Sequence, residues 1–533
     1  MSTGKLWGIG LGPGDPELVT VKAARLIAEA DVVAFHSAKH GRSISRAIAE
    51  PYLRAGQIEE HLVYPVTVET TDHPGGYQGA IDEFYEQAAA RLATHLAAGR
   101  TVALLAAGDP LFYSSYMHMH RRLADRFEAE IIPGITSVSA ASAALGTPLV
   151  EGEQVLTVLP GTMPVEELTE RLRETDAAAI MKLGRTFPGV RQALSDSGRL
   201  ADAYYVERAS STRQRVLAAA DVDEADVPYF SITLVPGPTP TTVIPARGAS
   251  VRQPTAAADD RTGTVAAAPG RPDISPDESA DAPGEVVVVG LGPGDADWTT
   301  PQVTAALAEA TDLVGYTTYI NRVPERAGQR RHASDNKVES ERAAMALDLA
   351  KRGARVAVVS SGDPGVFAMA AAVLEVSAEP QFQDVPVRVL PGLTAANAVA
   401  SRVGAPLGHD YAMISLSDRL KPWEVVAQRL SAVAAADMAI AIYNPASSQR
   451  RWQVGAMREV LLEHRPPHTP VVLGRDVGGP TESVRVTTLG ELDPDEVDMR
   501  TLLIIGSSTT TMFDTPEGTR VFTSRRYGSV PSR

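Results

Sequence analysis

The hexapeptide Gly10-Leu11-Gly12-Pro13-Gly14-Asp15 recurs residue for residue as Gly290-Leu291-Gly292-Pro293-Gly294-Asp295. Two further motifs follow each copy in the same order: Gly108-Asp109-Pro110 and Gly362-Asp363-Pro364, then Pro133-Gly134-Ile135-Thr136-Ser137 and Pro391-Gly392-Leu393-Thr394-Ala395. A glycine, a carboxylate and a φ-locked proline directly after an apolar run suit a ligand-binding loop, because open α/β sheets bind ligands at the carboxyl ends of their strands. The hexapeptide fits other loop chemistries badly. The sixth position of a dinucleotide fingerprint is Asp15 or Asp295 instead of glycine, Pro13 and Pro293 remove a backbone donor, and no Gly-Lys-Ser/Thr ending cradles a phosphate.

The remaining reactive side chains form no constellation. His36 and His40 are spaced i, i+4, and His118 lies near His120, but no third ligand is in register, so these histidines read as solvated or core residues. No Gly-x-Ser-x-Gly, His-Glu-x-x-His or Ser-x-x-Lys sequence supports nucleophilic hydrolysis. The chain has no cysteine, which removes disulfides, thiolate metal sites and cysteine nucleophiles together and suits a cytoplasmic setting.

The elements that would position the loops are regular. Lys5–Gly10 and Glu285–Gly290 are apolar runs ending in the glycine turn, and Thr20 and Thr300, the latter followed by Pro301, are N-caps for the next helix. Asp31–Phe35 and Asp312–Tyr316 read as second strands, Thr101–Leu105 and Val356–Val359 as third strands after helices closed by Gly99 and Gly353. Beyond about residue 150 and about residue 408 strands and helices alternate again, as in Ala178–Leu183 and Ala439–Tyr443. The reading is α/β, with mainly parallel sheets and two lobes per half.

At 533 residues the chain exceeds one core, and its period of about 250 residues far exceeds that of solenoid repeats. The division is residues 1–243, an Ala/Pro-rich linker over 244–284 without aromatic residues, and residues 285–533. Such a linker is expected to be a mobile tether that leaves the orientation of the halves open, so that cutting it yields two folded domains with independent sites. The net charge of −15 argues against nucleic acid, and no run approaches a membrane span.

The three motifs, in that order and twice, resemble the tetrapyrrole methylases, the class III S-adenosylmethionine (SAM)-dependent methyltransferases. Residues 1–243, with Met181-Lys182-Leu183-Gly184-Arg185 and Tyr205-Val206-Glu207-Arg208-Ala209-Ser210, are similar to the precorrin-2 C-20-methyltransferases of cobalamin biosynthesis. Residues 285–533 resemble the precorrin-3B C-17-methyltransferases through Val314-Gly315-Tyr316, Gly408-His409-Asp410, Ser415-Leu416-Ser417-Asp418 and Ile442-Tyr443-Asn444-Pro445.

The resemblance implies two tandem units, each with two α/β lobes flanking a SAM cleft, one SAM per half, and no metal. In the first half SAM would lie near Pro13, Gly108, Asp109, Pro110, Thr136, Ser137, Leu183 and Ala209. In the second half the matching set is Pro293, Gly362, Asp363, Pro364, Thr394, Ala395, Tyr443 and Asp476. The acceptors would be polycarboxylate tetrapyrroles, precorrin-2 methylated at C-20 to precorrin-3A and precorrin-3B at C-17 with ring contraction to precorrin-4. Lys39, Arg42, Arg46, Arg322, Arg419 and Lys421 are candidates for their carboxylates, and His409 for the base of the contraction. A homodimer and transient contacts with neighbouring pathway enzymes are also implied. Cobalt-containing intermediates, another acceptor such as diphthamide or ribosomal RNA, and a half that only binds SAM remain open alternatives.

Overall fold

The computed structural model describes residues 4–38, 41, 43–65, 73–151, 154–238, 284–294, 296–334, 339–418, 421–447, 450–516 and 518–524. Almost all of the expected linker, and with it the expectation of its mobility, lies outside the described residues, as do Lys39, His40, Arg42, Asp295 and Arg419.

Each half begins with a five-stranded, all-parallel sheet. In the first, β1 (Lys5–Gly10), β2 (Val32–Ser37), β3 (Ile58–Val63), β4 (Val102–Ala106) and β5 (Glu128–Ile132) run in the order β3-β2-β4-β1-β5. Helices cover both faces, so β1 and β4 are apolar along nearly their whole length instead of alternating. Thr20 and Thr300 cap their helices as the sequence implies, accepting from Ala23 N and Val303 N at 3.3 Å each. Gly99 and Gly353 take φ of 78° and 87° just past the ends of theirs.

The first half continues with β6 (Leu156–Pro160), β7 (Ala177–Met181), β8 (Tyr204–Glu207), β9 (Arg215–Ala218) and β10 (Ser231–Val235). The second half opens with β11 (Glu285–Gly290), β12 (Asp312–Tyr316), β13 (Arg330–Ser334), β14 (Arg355–Ser360) and β15 (Val387–Leu390), in the order β13-β12-β14-β11-β15, the same topology as the first sheet. It ends with β16 (Gly404–Ala405), β17 (Tyr411–Ser415), β18 (Ala439–Tyr443), β19 (Pro470–Arg475), β20 (Ser483–Thr488), β21 (Thr501–Ile505), β22 (Thr510–Thr515) and β23 (Gly518–Thr523).

The later lobes are not separate. They form one ten-stranded sheet, β20-β19-β21-β18-β17-β6-β7-β10-β8-β9, in which β6 of the first half pairs antiparallel with β17 of the second. The register places Thr157 opposite Ala412, with Leu156 opposite Met413 and Val158 opposite Tyr411, so a pseudo-two-fold axis passes through the central pair. One face packs the Ser137–Leu145 and Ala395–Val403 helices within a core that draws on both halves, including Leu104, Phe112, Val399, Tyr411 and Met413. The other face packs four helices, Val165–Glu174, Phe187–Asp196, Trp423–Ala435 and Gln453–Leu462.

The seam continues through the parallel-sheet lobes, where Val21 N donates to Thr299 O at 3.2 Å and Arg25 meets Asp297 at 3.5 Å. The terminal hairpin β22–β23 adds to it, with Phe522 under the Arg121 guanidinium at 5.1 Å. The expectation that a tether leaves the orientation of the halves open is therefore corrected: a shared core and a continuous backbone ladder fix it. Among the described residues no helix is long and apolar enough to cross a membrane.

Candidate functional site

The three repeated motifs fold into one knot of loops at the carboxyl edge of each parallel sheet. Gly12 and Gly108 exchange backbone hydrogen bonds, Gly108 N to Gly12 O at 2.7 Å and Gly12 N to Gly108 O at 3.2 Å, and Gly292 N donates to Gly362 O at 3.2 Å. The third loop presses against both. A Cβ on Gly134 would sit 2.2 Å from Gly108 O and 2.9 Å from Gly10 Cα, and a Cβ on Gly392 would meet Gly362 O and Gly290 Cα at the same distances. These glycines serve close backbone approach.

Asp109 and Asp363 staple the knots. The Asp109 carboxylate accepts from Leu111 N at 2.8 Å and Gly134 N at 3.0 Å, and Asp363 accepts from Gly365 N at 2.9 Å and Gly392 N at 3.1 Å. Burial pushes both pKa values up to about 6, against the opposing pull of the backbone donors. Gly108, at φ 75°, turns its bare backbone toward open space, since a Cβ there would meet nothing within 4 Å; Gly362, at φ 66°, has only Leu393 O at 3.8 Å. Thr136 and Thr394 begin the next helices by accepting from Ser139 N at 3.2 Å and Asn397 N at 3.4 Å.

The second lobe closes onto these loops. Gly14 lies against Ala209 O and Ser210, and Asp15 N donates to Ser210 Oγ at 3.1 Å. In the second half the Pro293–Gly294 turn lies against Gly478. Tyr443 Oη accepts from Ala396 N at 3.2 Å, lies beside the Thr394 side chain, and packs its ring 5.2 Å from Phe367. Pro13, Gly108, Asp109, Pro110, Thr136, Ser137 and Ala209 thus gather in one cluster, and Pro293, Gly362, Asp363, Pro364, Thr394, Ala395 and Tyr443 in another.

Other expectations shift. Leu183, 4% exposed, belongs with Phe187 and Val190 to the core of the outer layer. The strand Ala178–Leu183 stops at Met181 because Lys182 turns left-handed at φ 58°, as Asn444 does at φ 48° after Tyr443. Met181 O and Tyr443 O accept the equivalent bonds from Gly161 N and Leu416 N, so Tyr443 corresponds to Met181, not to Leu183. By the same backbone signature Asp476, φ 52°, corresponds to Arg208, φ 45°, not to Ala209, and its carboxylate accepts from Thr481 N at 3.1 Å.

The cationic candidates disperse. Arg322 braces the glycine turn, donating to Gly292 O at 2.8 Å, Leu291 O at 3.3 Å and Ser361 Oγ at 3.1 Å. Arg46 is paired with Glu59 and Glu50, and Lys421 is partly exposed at the start of the loop before the Trp423–Ala435 helix. His409 precedes β17, and Tyr443 with its loops lies at the other end of that strand, about 16 Å along five residues. Its Nδ1 is 3.8 Å from Asp410 Oδ2, and Asp410 Oδ1 accepts from the Tyr113 hydroxyl of the first half at 2.9 Å. Through the neighbouring Asp410 this segment meets the first half's Tyr113 loop, whereas the sequence assigns His409 to the second half's chemistry.

His36 stacks on Tyr64, with ring centroids 5.3 Å apart, and His118 stacks on Tyr85 at 4.4 Å. Sequence reasoning missed Tyr113, Lys182, Ser139 and Asn397. The repeated Thr-x-x-Ser/Asn spacing signalled only local capping in the last two.

A family model described as Tetrapyrrole (Corrin/Porphyrin) Methylases matches residues 5–226 and 285–493. The chain is 62% identical over 528 residues to the cobalamin biosynthesis protein CobIJ of Mycobacterium tuberculosis strain H37Rv, covering 98% of this chain and 96% of that protein. It is 52% identical over 238 residues to a precorrin-2 C(20)-methyltransferase from Sinorhizobium sp, covering 44% of this chain and 97% of the relative. It is 47% identical over 250 residues to a precorrin-3B C(17)-methyltransferase from the same source, covering 46% of this chain and 98% of the relative. With that family model matched once in each half, on the stretches that carry the two loop knots, the chain belongs to the tetrapyrrole methylases.

Proposed function

We propose that the chain is a bifunctional SAM-dependent C-methyltransferase of cobalamin biosynthesis. Its first half methylates precorrin-2 at C-20 and its second half methylates precorrin-3B at C-17 with ring contraction. The observation that carries this reading is the 62% identity to CobIJ along nearly the whole of both chains, seconded by single-activity relatives of each kind.

Each half would hold one SAM between its lobes, and the residues present suit it. Gly108 and Gly362 offer bare backbone, the helices begun by Thr136 and Thr394 offer N-terminal amides, and Ala209 and Tyr443 close the far side. Bound SAM supplies an activated methyl group on a cationic sulfur. Transfer to an electron-rich carbon is an in-line displacement in which that charge disappears, so the protein's task is alignment and exclusion of water more than acid–base work. The stapled aspartates do this by fixing the loops.

The homodimer implied by the family resemblance has an internal counterpart here, because β6 and β17 already pair within one chain.

Incubation with labelled SAM and precorrin-2, and separately with precorrin-3B, followed by mass analysis, tests the reading. Each acceptor should gain one methyl group, and calorimetry should count about two SAM sites per chain. A single SAM site, or methylation of neither acceptor, would overturn it.

A further inference from the structure

We propose that Asp410, a residue of the second half, is a positioning residue for the methyl transfer of the first half, a role that rests on reading the first half as the C-20-methyltransferase. The Tyr113 hydroxyl donates to Asp410 Oδ1 at 2.9 Å across 297 residues of sequence. The Lys182 ammonium lies 4.4 Å from the centroid of the Tyr113 ring. Tyr113 sits in the loop that begins at Gly108-Asp109-Pro110, and Lys182 directly follows β7, so the array spans both lobes beside the first cluster. Asp410 also borders, with Leu159, Pro160 and Thr162 of the first half, a cavity of about 200 Å³ at the carboxyl end of β6.

Symmetry separates chemistry from architecture here. Tyr113 and Lys182 both hold left-handed backbone, at φ 53° and 58°, and so do their second-half counterparts Phe367 and Asn444, at 50° and 48°. That conformation costs a non-glycine residue about 1–2 kcal/mol, and the fold maintains it at both places. The side chains differ. The second half has Phe367 without a hydroxyl, Asn444 without an ammonium, and Val155, buried, at the position matching Asp410. A seam without these groups satisfies the fold, so the Tyr113 hydroxyl and Lys182 ammonium that the first half brings beside Asp410 answer a need of the first reaction.

That need is recognition of an acceptor bearing several carboxylates. The carboxylate of Asp410 fixes the phenol, and the ring face holds the ammonium at the end of β7, where it can meet one carboxylate of the macrocycle. The second half thereby supplies part of the first half's specificity.

The test uses the full-length chain with precorrin-2 and SAM, and separately with precorrin-3B and SAM. Asp410→Asn and Tyr113→Phe should each raise KM for precorrin-2 about tenfold with a much smaller change in kcat. The double variant should be no worse than either single one, because both remove one bond. Asp410→Glu should recover part of the loss, and precorrin-3B kinetics should not change. Unchanged KM for precorrin-2 in a folded Asp410→Asn chain would overturn the positioning role while leaving the C-20 activity standing. Loss of precorrin-3B turnover in that variant would assign Asp410 to the second reaction instead. Failure of the parent chain to methylate precorrin-2 would overturn the functional reading itself.

Discussion

The side chain of Asn397, on the second half's Ala395–Val403 helix, faces the buried carboxylate of Asp109 in the first half and favours its charged form, and Ser139 of the first half does the same for Asp363. The Asn397 Oδ1 accepts from the Thr394 hydroxyl at 2.5 Å, which fixes the orientation of its amide. Thr394, Asn397 and Asp109 thus stand in line between the loops of one candidate site and those of the other. This arrangement predicts that a substitution in one site is felt in the other.

Replacement of Asn397 by Ala should be felt in the first half. It removes a polar side chain that faces a buried carboxylate and favours its charge, a loss of about 1 kcal/mol, and should loosen the Gly108–Pro110 loop. Calorimetry should show weaker SAM binding at one of the two sites and urea titration a lower midpoint. Equal weakening at both sites, or at neither, would contradict the crossed arrangement.

Proteolysis within residues 244–284 should leave the two halves associated. The β6–β17 ladder and the shared core hold them, so the nicked protein should elute at the size of the intact chain and separate only in denaturant. The isolated second half should aggregate or self-associate, because it exposes the β17 edge. Two stable monomeric fragments would contradict this.

Gly134→Ala and Gly392→Ala should each destabilise the protein and abolish SAM binding in one half. The new Cβ would meet a backbone carbonyl oxygen at 2.2 Å, and backbone on both sides leaves no flexible side chain to yield. Counting SAM sites in each variant checks this, with one site expected in each variant and two in the parent.

The pH dependence of stability should contain two opposing pairs. Asp109 and Asp363, raised from 3.8 to about 6, stabilise the folded chain below pH 3.8 and lose that contribution as pH rises through 6. His36 and His120, lowered by burial from 6.5 to about 4, stabilise it above pH 6.5 and lose that contribution as pH falls through 4. Between pH 4 and 6 the slopes oppose. Relative to the parent, Asp109→Asn should make stability fall more steeply with decreasing pH, by about 1.4 kcal/mol per pH unit, and His36→Phe should do the reverse. Parallel curves for parent and variant, measured by urea midpoints at pH 5 and 6, would refute the assignment.

The local parts of this structure were legible in the sequence. Thr20 and Thr300 as caps, Gly99 and Gly353 as helix stops, and the strands that carry the glycine motifs each depend on a few neighbouring residues. The β6–β17 pairing was not legible, because Leu156–Pro160 and Tyr411–Ser415 are short apolar runs that any central strand could be. Asn397 and Ser139 read as third residues of capped helices, and their approach to Asp109 and Asp363, respectively, exists only because of the axis between the halves. The contact of the His409–Asp410 segment with the first half was not legible for the same reason. Its motif identifies the segment, while the antiparallel seam decides which cleft the segment borders.

The axis through Thr157 and Ala412 has one more consequence. In an assembly of two identical chains every mutation at such an axis appears twice, and a residue that helps one side must be tolerated on the other. Here the two sides are encoded separately, so a change lands once. Tyr113 faces Asp410 on one side and Phe367 has no such partner on the other, an asymmetry that two copies of one gene product could not hold. Joining the halves releases each seam to evolve toward its own acceptor.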